Sequence, residues 1–518
     1  MTKLSKKYIS LENHKEIFKK GKYGFEKEAL RINKYDISKY DHPKSIGSKL
    51  CNKFITTDFS ENQLELITPP LESKKGSITF LDDIGHFVSR NISDELMWPL
   101  SIPPNYLDEK AVKIADFGTS NIGMFKNLYR KGLANRYGKM MQSISGFHFN
   151  YSFSNEIWDI DHYTKSSSKK ERLGRSEGYL KILRNITRMN WLLLYLTGAS
   201  PVVSESMLTE KDNTLLKAGD GIYYLPYATS LRMSDLGYKN ISRNIFQVSS
   251  NSFKEYIQDL LTATSSLNED FSHIDYSNSS IESREQISPN ILQIEDEYYA
   301  VARIKSGIVS DQRFIRRILN SGAEFIELRS LDLNPFSRVG IDLETVCFLE
   351  CFFIHCFLGD DDLISRSESL EIAENDYIVS REGRKKNLML KEKSRSIKMN
   401  DWGNIILDDI SIIAEMLDNS SNVYADSVNR MRERLNFPDL TISAKILDTV
   451  TDEHKSYLDF GSDIAQSNKT HYQEQKKSHN KNWNIIKAEV ERSLEEQSQL
   501  ESDTQGSFDS FLDKYFDM

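Results

Sequence analysis

Four segments of the chain alternate between apolar and polar positions, which predicts strands of a β-sheet. The most regular is 146–153, in which four aromatic side chains face one way and His148, Asn150 and Ser152 face the other. An aromatic face of this kind belongs to a hydrophobic core, so the opposite face borders either solvent or a functional site. The same period of two recurs at 23–33, 56–69 and 325–332.

Elsewhere apolar residues recur every three or four positions, which predicts helices. One such helix ends before Gly198 and Pro201, two residue types that commonly terminate helices. The C-terminal part of the chain has the same period, with Glu and Lys on the opposite face. Because strands come in runs and helices in blocks, the pattern favours an α+β fold over a doubly wound parallel fold. The apolar positions of the first helix are Tyr179, Ile182, Ile186, Met189, Leu193 and Leu196.

The composition narrows the class of protein. With 518 residues, 39% of them hydrophobic, the chain is long enough to bury a sizeable core. Only 24 Gly and 11 Pro residues are present, which excludes a collagen-like or low-complexity chain. The formal net charge is −9, whereas proteins that bind nucleic-acid backbones usually carry excess positive charge. We therefore predict no nucleic-acid partner.

The cysteines and the N-terminus indicate where the protein works. Three of the four cysteines lie within 346–358 with the spacing C-x3-C-x4-C, which is not that of a zinc site and predicts buried thiols on a helix. The fourth is Cys51, and four cysteines are too few to hold a chain of this length together by disulfides. No apolar signal-peptide core follows the basic N-terminus, and no segment has the roughly 18 apolar residues of a membrane span. We predict a cytoplasmic protein without a membrane partner.

Carboxylates interrupt the predicted strands. Alternation places Glu26 and Glu28 on one strand face, and Glu65 lies inside the second strand pattern. Glu327 and Arg329 share a face of the fourth strand. Carboxylates on an apolar face are costly to desolvate unless a positive charge lies between them. Such a set of oxygen ligands suits Mg²⁺ or Mn²⁺, and Mg²⁺ commonly binds together with substrate phosphates.

Each of these observations also has a plainer explanation. A glutamate on a strand is usually solvated, a Glu–Arg pair two residues apart is usually a surface pair, and a lone histidine such as His148 is more often hydrogen-bonded than metal-bound. The chain has no G-x-x-x-x-G-K-[ST] motif and no strand-bound G-x-G-x-x-G motif, so a nucleotide would have to be bound by other means. The pattern alone predicts a metal and phosphate site on a sheet and leaves the substrate open.

Several long sequence motifs follow one another in a fixed order, beginning with GFEKEALR at 24–31 and including EFIELRSLD at 324–332. Others lie at 55–59, 64–69, 94–101, 118–123, 128–132, 135–138, 141–146, 223–232, 234–238, 334–337 and 438–441. In these motifs the chain resembles the proteobacterial type of glutamate–cysteine ligase (γ-glutamylcysteine synthetase). The resemblance implies a glutamine-synthetase-like fold, in which a curved antiparallel sheet forms a funnel flanked by helices. It implies a catalytic domain at 1–450 and a helical C-terminal extension at 451–518 that packs on it.

The resemblance also implies an activity. The γ-carboxylate of L-glutamate would be joined to the amine of L-cysteine through a γ-glutamyl phosphate, with ATP as co-substrate and Mg²⁺ or Mn²⁺ as cofactor. This reaction is the first step of glutathione biosynthesis, and glutathione would be a feedback inhibitor of a monomeric enzyme. Two alternatives are a related carboxylate–amine ligase with a different amine acceptor and a non-catalytic metal- or nucleotide-binding relative. The second would be expected to lack an acidic residue or an arginine of the site, yet all of them are present.

Residue by residue, the resemblance implies three sets of site residues. The metal ligands are Glu26, Glu28, Asp58, Glu65, His148 and Glu327. The catalytic arginines, which would bind phosphate and the substrate carboxylates, are Arg329, Arg232 and Arg130. The cysteine pocket is Phe59, Tyr129, Leu133, Gln142, Tyr238 and Tyr299. The chain departs from the family at 299–303, where YAVAR replaces the usual YAPIR, and the loop that carries Tyr299 is therefore expected to be looser.

Overall fold

The structure, a computed structural model, contains one large antiparallel sheet and many helices. It describes residues 14–104, 109, 112–160, 168–208, 214–237, 246–307, 312–419, 421–451, 455–475, 481–503 and 506–517. The strands of the large sheet are β1 (Lys22–Asn33), β2 (Asp36–Ile37), β3 (Ile55–Thr57), β4 (Gln63–Ile67), β5 (Leu96–Met97), β6 (Phe147–Ser152), β10 (Ala302–Lys305) and β11 (Phe325–Leu331). Two smaller sheets contain β7 (Val202–Ser204), β8 (Leu216–Gly219) and β9 (Ile222–Tyr224), and β12 (Met389–Glu392) with β13 (Arg395–Lys398).

The order of the main strands is β10-β11-β6-β1-β4-β3, and each neighbouring pair is antiparallel. Strand β1 has 12 residues, long enough to pair with β6 and β4 on its two sides and with β2 and β5 near its end. All four predicted strand segments lie in this sheet, and 56–69 folds as the β3–β4 hairpin. The predicted α+β class is confirmed.

The helices lie around the sheet, and from Met399 onward the regular elements of the described residues are all helices. They are α1 (Lys15–Phe18), α2 (Lys74–Asn91), α3 (Asn121–Tyr137), α4 (Lys139–Gln142), α5 (Ile157–Ile160), α6 (Ser168–Thr197), α7 (Phe253–Ser265), α8 (Phe314–Ser321), α9 (Leu343–Leu358), α10 (Arg366–Glu382), α11 (Met399–Leu417), α12 (Val423–Asn436), α13 (Ile442–Thr451), α14 (Tyr457–Glu474), α15 (Lys481–Ser502) and α16 (Phe508–Phe516). None of the helices in the described residues is long and apolar enough to cross a membrane.

The core forms between the aromatic face of the sheet and two helices. Phe149 and Tyr151 of β6 stack on Phe353 of α9, with ring centroids 5.6 and 5.4 Å apart. Helix α6 contains the predicted 179–196 helix and joins the same core. Helix α9 is buried from Thr345 to Leu358, and its three cysteines are free thiols, as the spacing predicts. One face of the sheet is thus fully used for packing, which leaves the other for chemistry.

Candidate active site

Strand register brings five of the six predicted metal ligands onto one face of the sheet, and the sixth, Asp58, follows β3. Glu26 of β1 lies directly opposite His148 of β6, and Glu28 lies opposite Glu65 of β4. Glu327 on β11 lies opposite Asn150 of β6. Because alternate residues of a strand share a face, these side chains project on the side of the sheet away from the aromatic core.

His148 is at the centre of this acidic cluster. Its Nδ1 lies 3.1 Å from Glu26 Oε2 and 3.6 Å from Glu327 Oε1, and its Nε2 lies 3.6 Å from Glu28 Oε1. Glu26, Glu65 and His148 each offer one ligand atom, and these atoms lie within 4.8 Å of one another. This spacing allows a single divalent cation to bind all three.

Two further contacts fix the orientation of the carboxylates. Asn150 Nδ2 donates to Glu26 Oε1 at 2.8 Å, and the Gly146 N–H donates to Glu28 Oε2 at 2.5 Å. Each of these hydrogen bonds leaves the other oxygen of its carboxylate pointing towards His148. The sheet therefore holds the cluster in position before any ligand is bound.

The cluster has more negative charge than its protein surroundings neutralise. Burial raises the pKa of Glu65 well above its ordinary value, and the charges of Glu26 and Asp58 raise it further. Burial also raises the pKa of Glu28, although His148 opposes this shift. Glu327 Oε2 is buried and accepts no hydrogen bond from the described residues. A carboxylate-rich set with surplus negative charge fits a hard divalent cation such as Mg²⁺ or Mn²⁺.

Glu327 marks the border between this acidic zone and a cationic zone. Burial alone would raise its pKa, but Lys305, Arg329 and His148 outweigh that effect and hold the pKa below the ordinary value. Arg329 Nη1 lies 2.9 Å from Glu327 Oε1, and Lys305 Nζ lies 3.4 Å from Oε2. The Arg329 side chain is still 20% exposed, and its buried Nε donates to none of the described residues. Arg329 therefore has hydrogen-bond donors left for an anion.

Arg232 is more deeply buried than Arg329. Its guanidinium lies against Gly146, where a Cβ atom would come within 2.0 Å of Nη2. Nη2 donates to the Arg329 carbonyl at 3.0 Å, and Nη1 lies 3.5 Å from Asp332 Oδ1. Arg232 thus holds the backbone of Arg329 in place. That Arg232 also binds substrate stays a prediction.

Arg130 comes from helix α3, which begins where Ser120 caps the Gly123 N–H. Arg130 Nε donates to the Asp58 carbonyl, and its guanidinium stacks 4.4 Å from the centre of the Phe117 ring. The helix is thereby joined to the turn that follows β3 and carries two predicted site residues, Asp58 and Phe59.

Lys126 is a functional candidate that the sequence reasoning missed. It lies one helical turn before Arg130, and its Nζ is 5.4 Å from the centre of the Phe117 ring. Burial and the neighbouring Arg130 charge lower the pKa of Lys126 to about 8. Its ammonium forms no hydrogen bond or ion pair with another described residue. Lys126 lies between the motifs at 118–123 and 128–132, and its i, i+4 spacing to Arg130 is by itself typical of a solvated helix face.

The predicted cysteine pocket draws on several elements. Phe59 is buried in a large apolar cluster against which Leu133 of α3 also packs. Tyr129 packs against a separate cluster that contains Phe125 and Leu128, and burial raises its pKa well above the ordinary value. Gln142 ends the short helix α4. Tyr238 lies outside the described residues.

Tyr299 lies in the loop before β10 that departs from the family pattern. Its hydroxyl donates to Met233 Sδ at 3.1 Å, next to Arg232. Val301, in place of the usual proline, is buried, and its carbonyl accepts a hydrogen bond of 2.8 Å from the Arg329 N–H. The loop is therefore hydrogen-bonded to β11 at Arg329, the arginine that faces the acidic cluster.

Comparisons with known proteins identify the family of the chain. A model of the family described as glutamate-cysteine ligase matches residues 7–379. The chain is 35% identical to the glutamate–cysteine ligase of Janthinobacterium sp. (strain Marseille) over 97% of its length and 95% of the relative's. It is 37% identical to that of Pseudoalteromonas translucida (strain TAC 125), over 98% and 97%.

Two solved structures resemble the fold. A glutamate–cysteine ligase from Francisella tularensis in complex with AMP superposes with a TM-score of 0.89 at 32% identity, over 96% of this chain and 97% of that chain. A bifunctional glutathione synthetase from Pasteurella multocida superposes with a TM-score of 0.71, over 90% of this chain and 55% of that chain. At 24% identity, the second likeness shows the fold alone.

Proposed function

The chain belongs to the glutamate–cysteine ligase family, and we propose that the acidic cluster around His148 is its active site. The protein is an ATP-dependent ligase that joins the γ-carboxylate of L-glutamate to the amine of L-cysteine in the first step of glutathione biosynthesis. A different amine acceptor is not favoured, because relatives matched over nearly the whole chain are named glutamate–cysteine ligases. The juxtaposition of Glu26, Glu65 and His148 on one strand face is the observation that carries the site proposal.

The chemistry requires that a carboxylate be activated. A carboxylate is a poor electrophile, so the γ-oxygen of glutamate first attacks the γ-phosphorus of ATP, and ADP leaves. The amine of cysteine then attacks the acyl carbon of the γ-glutamyl phosphate, loses a proton and expels phosphate. Catalysis of such steps is mainly positioning and neutralisation of charge on the phosphoryl oxygens. The binding of AMP by the Francisella tularensis relative supports a nucleotide site in the same fold.

The metal would be held by Glu26, Glu28, Asp58, Glu65, His148 and Glu327. A bound Mg²⁺ or Mn²⁺ would neutralise negative charge on the phosphate groups of ATP. The surplus charge around Glu65 and the close spacing of Glu26, Glu65 and His148 support this assignment. The hydrogen bonds from Asn150 and Gly146 orient two of these carboxylates from the protein side.

The arginines would act on the anionic groups of the substrates. Arg329 faces the cluster, and its planar guanidinium has donors that can address two phosphoryl oxygens at once. Arg130, at the opposite edge near Asp58, would assist with a second anionic group. The contacts of Arg232 support a role in positioning Arg329. Phe59 and Leu133 would enclose the cysteine side chain, with Tyr129, Tyr299, Gln142 and Tyr238 around it.

Four further properties remain proposals. Residues 1–450 would form the catalytic domain, with 451–518 as a helical extension that packs on it. The enzyme would be a monomer with glutathione as feedback inhibitor. A cytoplasmic location is supported by the four free cysteines, which are typical of a reducing compartment.

The deciding experiment measures ADP release with glutamate and Mg²⁺, with and without cysteine, and identifies the product by mass. We expect cysteine-dependent ADP release and γ-glutamylcysteine, both lost in excess EDTA and restored by Mg²⁺. Replacing cysteine by other small amines should reduce the rate. Full turnover in EDTA would refute the metal assignment, and equal rates with unrelated amines would refute the acceptor.

A further inference from the structure

The outer side of helix α3 is covered by the last helix of the chain. Phe125 of α3 lies 4.5 Å from the Tyr515 ring and 5.9 Å from the Phe511 ring of α16, measured between centroids. Phe125 and Leu128 are buried, and Phe508, Leu512 and Phe516 pack on the cluster that they form with Ile287 and Ile294. Tyr129 and Arg130 follow directly on α3, so α16 covers the turn of helix that leads into the site.

Helix α15 and the residue Gly506, which come before α16 in the chain, contact the start of α3. The Thr119 N–H donates to Glu501 Oε1 at 3.4 Å, and Asn121 Nδ2 donates to the Gly506 carbonyl at 3.1 Å. Gly118 has φ +92°, and a Cβ atom there would come within 1.9 Å of Glu501. The positive φ of Gly118 therefore favours glycine at this turn, and the side chains of α15 lie directly against it.

Helix α15 also binds the loop that leads to Asp58. The Ser48 N–H donates to Ser493 Oγ at 3.1 Å, and the Lys53 N–H donates to Glu489 Oε1 at 2.9 Å. Ser48 Oγ donates to Gln497 Oε1 at 2.5 Å, and Gln497 Nε2 donates in turn to the Phe117 carbonyl at 3.4 Å. One helix thus contacts both the loop before Asp58 and the turn before α3.

The two halves of α3 are supported differently. Near its C-terminal end, Arg136 forms a buried ion pair with Glu297 at 2.9 Å and hydrogen-bonds Gln286, all within the catalytic part. Its N-terminal half packs on 481–517 as well as on the catalytic part, where Ile287 and Ile294 join the Phe125 cluster and Asn127 Nδ2 donates to the Ala115 carbonyl at 2.8 Å. Arg130, between the two halves, makes the contact with the Asp58 carbonyl.

We propose that residues 481–503 and 506–517, named here the C-terminal brace, position the amine side of the active site by setting α3 against the Asp58–Phe59 turn. The brace lies beyond the residues that the family model matches. The inference rests on the proposed function, because it assigns Tyr129, Leu133 and Phe59 to the cysteine pocket. Tyr515 and Phe511 are its positioning residues, since they touch α3 and not the site.

The test uses full-length variants of α16 and three substrate titrations. Tyr515→Ala and Phe511→Ala should each raise the KM for cysteine by about five-fold or more, while the KM values for glutamate and ATP change by less than about two-fold. Hydrogen exchange of the amides of 121–130 should be faster in both variants. Tyr515→Phe keeps the ring against Phe125 and should behave as wild type. Asp513→Ala, on the exposed face of the same helix, is the matched control.

An unchanged KM for cysteine, or an equal rise in all three KM values, would overturn the proposal. Unchanged hydrogen exchange in 121–130 would overturn it independently of any activity. If the Ala variants do not fold, Tyr515→Leu retains apolar bulk without the ring and is held to the same two criteria. If wild-type protein makes no γ-glutamylcysteine, the proposed function fails, and the exchange measurement alone decides whether 481–517 supports α3.

Discussion

Replacing Glu65 by glutamine should make the metal-free protein more stable and the enzyme far less active. Glu65 is held close to Glu26, Glu28 and Asp58, and these charges together with burial raise its pKa. Glutamine has nearly the same shape but no charge, so Glu65→Gln removes repulsion that only a bound cation would otherwise offset. The same change removes a proposed metal ligand, so turnover should fall by orders of magnitude.

The distances set the size of the effect. Ligand atoms of Glu26 and Glu65 lie within 4.8 Å, and at an effective dielectric constant of about 20 two unit charges at that distance repel by about 3 kcal/mol. The free energy gained will be smaller, because Glu26 is partly exposed and screened by solvent. For a chain of 518 residues, in which 1 kcal/mol shifts the melting temperature by about 1 °C, we expect a rise of no more than about 3 °C.

The sign of the pH dependence follows from the raised pKa. Above the ordinary carboxyl pKa the unfolded chain gives up the Glu65 proton while the folded chain retains it, and this difference destabilises the folded wild type. The penalty grows with pH up to the folded pKa and is constant above it. The advantage of Glu65→Gln in EDTA should therefore be larger at about pH 8 than at about pH 5.5.

Thermal unfolding in EDTA and in Mg²⁺ is the assay. Mg²⁺ should stabilise wild type and stabilise Glu65→Gln much less. Glu297→Gln is the matched control, because Glu297 is a buried glutamate with an ion-pair partner, Arg136. Breaking that pair should lower the melting temperature, the opposite sign. If Glu65→Gln melted below wild type in EDTA at both pH values, the cluster would not be under repulsion and the reasoning would be refuted.

Arg329→Lys should lower kcat/KM nearly as much as Arg329→Ala, because an ammonium cannot bind two phosphoryl oxygens in a fixed plane as a guanidinium can. If the lysine variant kept more than about half of the wild-type kcat/KM, a loss of only ~0.4 kcal/mol, Arg329 would be a structural residue. Tyr238→Phe and Tyr299→Phe should raise the KM for cysteine by about ten- to a hundred-fold with little change for glutamate or ATP, and equal rises in all three would remove them from the pocket. Lys126→Met should raise the melting temperature and lower kcat/KM, since it replaces an unpaired, desolvated cation; unchanged kcat/KM would leave Lys126 a packing residue.

The strand-face carboxylates were predictable because alternation is a local property. Glu26 and Glu28 share a face whatever the strand pairs with, and the aromatic face of 146–153 identified the inner side of the sheet. Register was not predictable, since nothing local indicates that Glu28 lies opposite Glu65. It is this pairing, and not either strand alone, that creates the surplus charge.

The helix-borne part of the site escaped sequence reasoning for a different reason. A lysine one turn before an arginine, as in Lys126 and Arg130, normally indicates a solvated helix face. Here the Phe117 ring lies against both cations and withdraws them from water. The contact between Thr119 and Glu501 joins residues far apart in the chain, and no periodicity reports such pairs.

The acidic cluster and the proposed amine pocket thus lie on elements that are held in different ways. The acidic cluster lies on central strands, where ladder hydrogen bonds and the aromatic core hold repelling carboxylates in place. The proposed amine side depends on helix α3, whose N-terminal half is held mainly by side-chain contacts, with Phe125 and Leu128 packed on Ile287, Ile294 and the aromatic residues of α16. A small shift of that helix would change the amine pocket and leave the cluster intact. The enzyme's affinity for its amine should therefore be the property most sensitive to changes far from the site.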